Sequence, residues 1–582
     1  MKQIPSGLAP KFSNYSSRGG DFIESFAMDC TSDFGVMTPT RTIEVFNDTD
    51  DTDLQLPIAF AYYEQRYYAA SEDFVYRTTG TGGDTTEMND RWVKDTSSIN
   101  APDGELVDGY TDIALFNGSM YVSASTEVFK LNGSTWSKPV TTELTSLRPH
   151  LMCAFGSGGT ERLYITDDYY KVHSINTSDV ISATGTATLD LQLDDTWVIT
   201  FLEPGLDEIW VGLLNTDSGK GMVYGWDGQT ENVTNRQINL DAGVIAGTVM
   251  NNIPYIIDAR GRLMAYSGSN FTEVDRIWTR DRFLLKDAGQ NGNDRFVNVN
   301  GMVTTDTGRI LIGVNNLTLA DNNEVYDDTF PAGVYEYDPQ TGLHCKYAIN
   351  TGTDNGQRRL KNIGALLFSR STRPTSDGNG TLLIGAEYEV DSTTSRFAIF
   401  HDDTTQTQQG RGYLITPKIF SGNVQEAWQS VYVTYERMRE ASDEIVVKYR
   451  TREKNSVSAD CTWLNTTEFT TTDDVSEFEE GDEVTILAGP NAGHIFEIES
   501  VTASTSTYTI RVKENPDNIT TAFAGRFTNF QTLRSADPTD NAQWKEFMMG
   551  VETKSPWIQF KLIAHLTGSG IYKMAVDSST NI

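Results

Sequence analysis

The sequence predicts an all-β protein: a β-propeller of about seven blades, followed by a β-sandwich that carries a small SH3-like barrel insertion. Three observations predict it. Long helical patterns are nearly absent, while Gly, Thr, Ser, Asn and Asp punctuate the chain throughout. Short apolar strands recur in one order at a period of roughly 50 residues, the range of propeller and array repeats. Near Gly410 the pattern changes to longer, alternating strands.

The clearest repeat covers residues 112–136, DIALFNGSMYVSASTEVFKLNGSTW. Residues 113–116 are apolar and run into Asn117-Gly118; residues 120–124 form the return strand; residues 127–131 follow and end at Asn132-Gly133. Asn-Gly suits a two-residue hairpin because both positions accept positive φ and match the twist of the strands. The stretch is therefore an antiparallel meander, with an outer strand at 134–137. Alone it cannot bury its apolar faces, but stacked against copies of itself it can. Units of the same pattern begin near Ile58, Asp112, Leu151, Trp197, Val244, Asn300 and Ile363. They read as propeller blades, whose edges are protected by their neighbours. A large β-sandwich with irregular strands is the competing arrangement.

In chain order, residues 1–34 read as an extended arm, too polar to fold alone yet carrying Phe12, Tyr15, Phe22 and Phe26. These aromatics are candidates for docking, either on the chain's own domain or on a neighbouring subunit. The propeller is expected over 35–409, with the strand TIEVFN near its start closing the ring against the last blade. Polar insertions at 80–108, 281–300 and 315–331 would project from a rim. The sandwich is expected over 410–582, with strands YLITPKIF, AWQSVYVTYE, EIVVKYRTR, WIQFKLIA and IYKMAV. Within it, about residues 473–512 read as an SH3-like insertion resembling KOW-type barrels, some of which bind RNA. Glu477, Glu479, Glu480, Asp482 and Glu483 surround this insertion with charge that opposes phosphate. A structural insertion is therefore the favoured reading.

Composition narrows the function classes. The chain has 582 residues, with 46 Lys and Arg against 80 Asp and Glu, a net charge of −34. That leaves little material for the basic face of a nucleic-acid binder. Four cysteines, Cys30, Cys153, Cys345 and Cys461, are far apart and form neither a disulfide framework nor a zinc pattern. They read as free thiols made in a reducing compartment. The N-terminus lacks the apolar core of a signal peptide, and no apolar run is long enough to span a membrane.

Motifs with chemistry are few. The six histidines are scattered without metal-ligand spacing, and no nucleophile elbow, P-loop or dinucleotide fingerprint occurs. Residues 377–380, DGNG, offer too few alternating oxygen ligands for a calcium loop. The doublets Asp167-Asp168, Asp194-Asp195, Asp327-Asp328 and Asp402-Asp403 sit at turns, the ordinary place for Asp. Tyr62, Tyr63, Tyr67, Tyr68, Trp210 and Trp226 could stack on sugars, but blade core is their commoner use. No catalytic residue, metal ligand or cofactor site is expected.

The arm at 1–30, the segment LITPKIF at 414–420 that opens the last domain, and the closing SPWIQFKLIAHLTGSGIYKMAV at 555–576 resemble the tail-nozzle (tail hub) proteins of short-tailed bacteriophages. The resemblance implies a non-enzymatic virion structural protein, made in the host cytoplasm and assembled into the tail. Copies, six in the family's pattern, would form a ring under the portal or adaptor, contact tail-fibre proteins and surround the genome-ejection channel. DNA would pass without specific binding, and no membrane insertion is implied. An acidic lumen would repel DNA. A carbohydrate-binding or glycan-cleaving propeller is the alternative, and a ligand-free scaffold is a third.

Overall fold

The computed structural model describes residues 2–4, 24–29, 37–40, 43–45, 54–71, 74–78, 92–95, 111–124, 126–141, 144, 150–156, 160–182, 191–229, 236–277, 296–315, 332–351, 357–369, 381–389, 395–402, 411–416, 418–420, 426–438, 440–452, 454, 457–486, 494–514, 522–536, 544–548, 557–566 and 571–580. All regular structure in these residues is β. The N-terminal two thirds is a β-propeller, and a β-sandwich with a small barrel follows.

Six four-stranded antiparallel meanders follow one another over 59–94, 113–141, 152–192, 197–240, 244–276 and 302–347. The second has the strands Ile113–Phe116, Ser119–Ser123, Glu127–Asn132 and Thr135–Thr141, close to those read from the sequence. Its first turn holds Asn117 at φ 48° and Gly118 at φ 72°, the doubly positive pair of a type I′ hairpin. The same doubly positive geometry is carried by Glu64-Gln65, Asp168-Tyr169 and Asn251-Asn252. There the twist of the flanking strands outweighs a residue preference that Glu, Gln and Tyr do not meet cheaply.

A seventh unit combines Gln357–Ser369, Thr381–Glu389 and Ser395–His401 with Ile349–Thr351 and Ile43–Val45 in a closed strand set. Ile43–Val45 pairs antiparallel with Ser395–His401, as Phe400↔Val45 and His401↔Glu44. The N-terminal segment thus supplies an outer strand to the last propeller unit, as the TIEVFN pattern suggested.

The first strands of the seven units touch in cyclic order, the last returning to Ala59–Tyr63 of the first. Polar ties cross the junctions. Tyr63 Oη donates to Gly118 O at 3.1 Å, and Gly133 N donates to Tyr63 Oη at 2.9 Å. Tyr121 Oη donates to Asp179 at 2.6 Å, Tyr164 Oη to Gly228 O at 2.9 Å, and Leu343 N to Asp275 at 2.9 Å. Tyr347 Oη reaches Asp402 at 3.4 Å. Each hydroxyl lets a ring bury its apolar body between units while its polar tip finds a partner.

The C-terminal sandwich has two sheets. One orders Lys2–Ile4, Ile571–Thr580, Glu426–Tyr435 and Trp544–Met548. The other orders Glu24–Phe26, Arg411–Ile415, Trp557–His565, Glu444–Arg450 and Gln531–Ala536, with Ile419–Phe420 also on Trp557–His565. Trp428, Val431, Val433, Ile445, Val447, Ile558, Phe560 and Leu562 fill its core, which is continuous with propeller residues such as Ile245, Ile312 and Cys345.

The small barrel is closed by six strands between Val457–Trp463 and Ala522–Thr528, wider than the 473–512 expected from sequence. The strands missed are short or carry polar residues on alternate positions, so their apolar signal is weak. Phe469, Phe496, Phe523 and Phe527 form its core with Trp463. Two of the five acidic residues expected to surround the insertion with charge turn inward. Glu483 is fully buried between Lys448 at 2.9 Å and Lys561 at 2.7 Å, joining barrel to sandwich. Asp482 is buried against Lys454 at 2.8 Å.

Candidate functional site

The inner ends of the propeller strands bring polar groups from several units together. Asp112 directly precedes the strand Ile113–Phe116, where its carboxylate caps two backbone donors, Ile113 N and Met152 N of the next unit, both at 2.8 Å. Its own N–H donates to Ser123 Oγ at 2.8 Å. Asn300, from the sixth unit, hydrogen-bonds the Asp112 carboxylate and donates through Nδ2 to Ile58 O at 2.9 Å. Asn300 O accepts from Leu366 N of the seventh unit at 2.9 Å. Asn298 Nδ2 donates to Ile363 O, and Ile363 N donates to Asn315 Oδ1, both at 2.6 Å. Side chains with two hydrogen-bonding ends serve here because the inner strands of neighbouring units are not paired in a ladder and leave backbone groups for side chains to satisfy.

Glu203, in the first strand Trp197–Pro204 of the fourth unit, shares this environment. Burial pushes its carboxyl up to about 8, and the Asp112 charge adds to the rise. Burial pushes Asp112 up to about 6, opposed by the hydrogen bonds from Met152, Ile113 and Asn300. Cys153, from the third unit, has its thiol pushed well up by burial, with Glu203 and Asp112 adding. Burial thus favours the protonated form of both carboxyls, more so for Glu203, and the neutral form of the thiol. That set can hold or exchange a proton, but the thiol is not a nucleophile in this state.

Residues singled out in the sequence fall elsewhere. Phe26 is buried and stacks on Tyr413 at 5.4 Å, within a strand that pairs Glu24–Phe26 with Arg411–Ile415. It is a core side chain of this chain's own sandwich, not one offered to another molecule, because burying the ring against Tyr413 removes it from any partner. Phe12, Tyr15 and Phe22 lie outside the described residues, as do Asp327, Asp328, Asp403 and the DGNG loop. Asp167 faces His173 at 3.3 Å, Asp168 pairs with Lys171 at 2.7 Å, and Asp194 accepts from Thr196 at a turn. Asp402 accepts from Leu382 N at 2.9 Å, and burial pushes it up to about 7. Tyr63, Tyr67, Tyr68, Trp210 and Trp226 are buried core. Cys345 and Cys461 are buried and, like Cys153 beside Glu203 and Asp112, are in no disulfide.

Sequence reasoning did not single out Asp112 or Glu203 as site residues. Among 80 acidic residues nothing local distinguishes them. The one available signal is position, since each adjoins or ends the first strand of a repeat.

No family model matches the chain, and no curated protein matches it. Solved structures are similar in architecture. BBS1N, crystallised in complex with ARL6DN, is 13% identical, with a TM-score of 0.36 over 63% of this chain and 98% of that one. The extracellular domain of the putative one-component system BT4673 from B. thetaiotaomicron is 9% identical, with a TM-score of 0.39 over 80% of this chain and 50% of that one. Raptor of Chaetomium thermophilum is 10% identical, with a TM-score of 0.39 over 63% and 30%. Likeness at this level concerns β architecture and carries no functional argument.

Proposed function

We propose that this chain is a non-enzymatic virion structural protein, a ring-forming nozzle or hub component of a short viral tail that supports the genome-ejection channel. Its propeller has seven blades, a count supported by the cyclic contact of the seven first strands. The observation that carries the reading is the path of the N-terminal segment. Residues 2–4 and 24–26 enter the two sandwich sheets, and residues 43–45 enter the last propeller unit. The chain thereby passes between sandwich and propeller twice, between residues 26 and 43 and again between 402 and 411, a construction suited to transmitting load. The charge of −34 supports passage of DNA without adhesion.

Electron microscopy of the native source with an antibody to this chain tests the proposal. Label at one pole of virus-like particles is the expected result; a chain found only as free monomer overturns it. The second reading, a glycan-binding or glycan-cleaving propeller, is favoured by Glu203 and Asp112 alone, since glycosidases use a protonated carboxyl beside a carboxylate. It requires measurable glycan binding by the isolated chain, lost in Glu203→Gln.

A further inference from the structure

We propose that Asp29, Glu336 and His344 form a binding site for one divalent first-row transition-metal ion, which fastens the N-terminal segment to the sixth propeller unit. Glu336 lies in the strand Gly333–Asp338 and His344 in Gly342–Tyr347, where the two are directly paired across the strands and so share a face. Asp29 ends the short strand Met28–Asp29, which crosses this face. One ligand atom from each of the three residues lies within 4.8 Å of the others.

The observation that points to a ligand is the imidazole. His344 is 0% exposed; the backbone of Gly342 approaches the ring, but neither Nδ1 nor Nε2 completes a hydrogen bond of good geometry. A buried polar group left unpaired is costly, and with one nitrogen turned to Gly342 the other is left among carboxylates without a partner. A bound cation would take one nitrogen and both acids at once. Imidazole with two carboxylates suits Zn2+ or Mn2+, whereas Ca2+ and Mg2+ prefer oxygen alone.

The surroundings fit a clip. Cys345 N donates to Ser25 Oγ at 2.8 Å and Thr40 Oγ1 donates to Lys346 O at 2.6 Å, so the N-terminal segment brackets the His344 strand on both sides of Asp29. The competing cation is Lys346, whose Nζ lies 3.0 Å from Glu336 Oε2 and 3.5 Å from Asp29 Oδ2. Arg309 also approaches Glu336, at 3.4 Å. Metal and lysine would divide the oxygens of the same two carboxylates. The lysine therefore lowers metal affinity and, with the ion absent, holds the acids in place.

The full-length chain, freed of metal with a chelator and dialysed, is titrated separately with Zn2+, Mn2+, Ca2+ and Mg2+ by calorimetry. The expected result is one Zn2+ or Mn2+ per chain and at least tenfold weaker binding of Ca2+ and Mg2+. His344→Ala weakens the transition-metal binding at least tenfold, while His173→Ala, at another buried histidine, leaves it unchanged. Lys346→Met tightens it at least tenfold by removing the competitor. Absence of stoichiometric binding overturns the proposal, as does binding indifferent to both His344→Ala and Lys346→Met. X-ray absorption on the metal-loaded wild type keeps the test open if His344→Ala fails to fold. A shell with one imidazole nitrogen and carboxylate oxygens at about 2.0–2.2 Å supports the site; a shell without nitrogen overturns it.

Discussion

Glu483 is the residue on which the barrel–sandwich junction turns. Its carboxylate accepts from Thr528 Oγ1 at 2.7 Å and lies between the ammonium groups of Lys448 and Lys561, all four side chains buried. Burial alone would raise its pKa, but the two lysines outweigh burial and hold the carboxyl at about 2. In the unfolded chain the value is near ~4.3. A depressed folded value means stability that is fully present above the unfolded pKa and is lost as pH falls from about 4.3 toward about 2. Glu483→Gln leaves two buried lysines without their anion and is expected to cost ~3–5 kcal/mol at pH 7. Urea denaturation of wild type and variant at pH 7 and pH 3 checks both statements, because the gap between them narrows in acid. Glu203 works in the opposite sense. Its folded value of about 8 lies above the unfolded one, so the wild type loses stability as pH rises from about 4.3 through 8. Glu203→Gln removes that dependence. The variant is expected to gain on the order of 1–3 kcal/mol over wild type at pH 8.5 and nothing at pH 4, read from melting curves at the two pH values.

Elements close the ring where backbones come nearest. A Cβ added at Gly364 would lie 2.0 Å from Pro57 O and 2.8 Å from Leu56 Cγ, at the seam between the last unit and the chain entering the first. The nearest atom is backbone and cannot swing aside. Gly364→Ala is therefore expected to open the seam at a cost of ~1–3 kcal/mol, measured as a lower unfolding midpoint and as new protease sensitivity near residues 54–63. The outcome of a silent Gly364→Ala would mean that the seam already breathes. Such seams were invisible in the sequence, whereas the meanders were legible. The second unit declared its strands because Asn117-Gly118 and Asn132-Gly133 mark both turns and apolar residues fill the strands between them. Glu64-Gln65 and Asp168-Tyr169 adopt the same turn without a turn signature, so those hairpins are legible from strand pattern alone. The axial and metal-binding candidates were illegible for a different reason. Asp112 meets Asn300, and Asp29 meets His344, only because the ring and the N-terminal crossing bring distant segments together.

At the scale of the whole molecule the question is what the first 45 residues hold together. The sequence leaves open whether the arm docks on its own domain or on a neighbouring subunit; the described parts of it pair within the chain. Lys2–Ile4 pairs with Ile571–Thr580, Glu24–Phe26 with Arg411–Ile415, and Ile43–Val45 with Ser395–His401. Two truncations separate these roles. Deleting residues 1–26 removes an edge strand from each sandwich sheet and exposes the Tyr413 face on which Phe26 stacks, while the strand at 43–45 still completes the last propeller unit. The sandwich is expected to lose at least the ~1.5–3 kcal/mol of burying one phenylalanine, and to become protease-sensitive within 411–582 while 54–402 stays resistant. Deleting residues 1–45 removes the closing strand as well, so sensitivity should spread to 357–401. A synthetic peptide of residues 1–30 added to the shorter truncation should restore resistance in the sandwich, because strand addition to an open sheet edge needs no covalent link. Full resistance without the peptide would show that these pairings contribute nothing to the sandwich and would return the arm to the role of a docking element for another subunit.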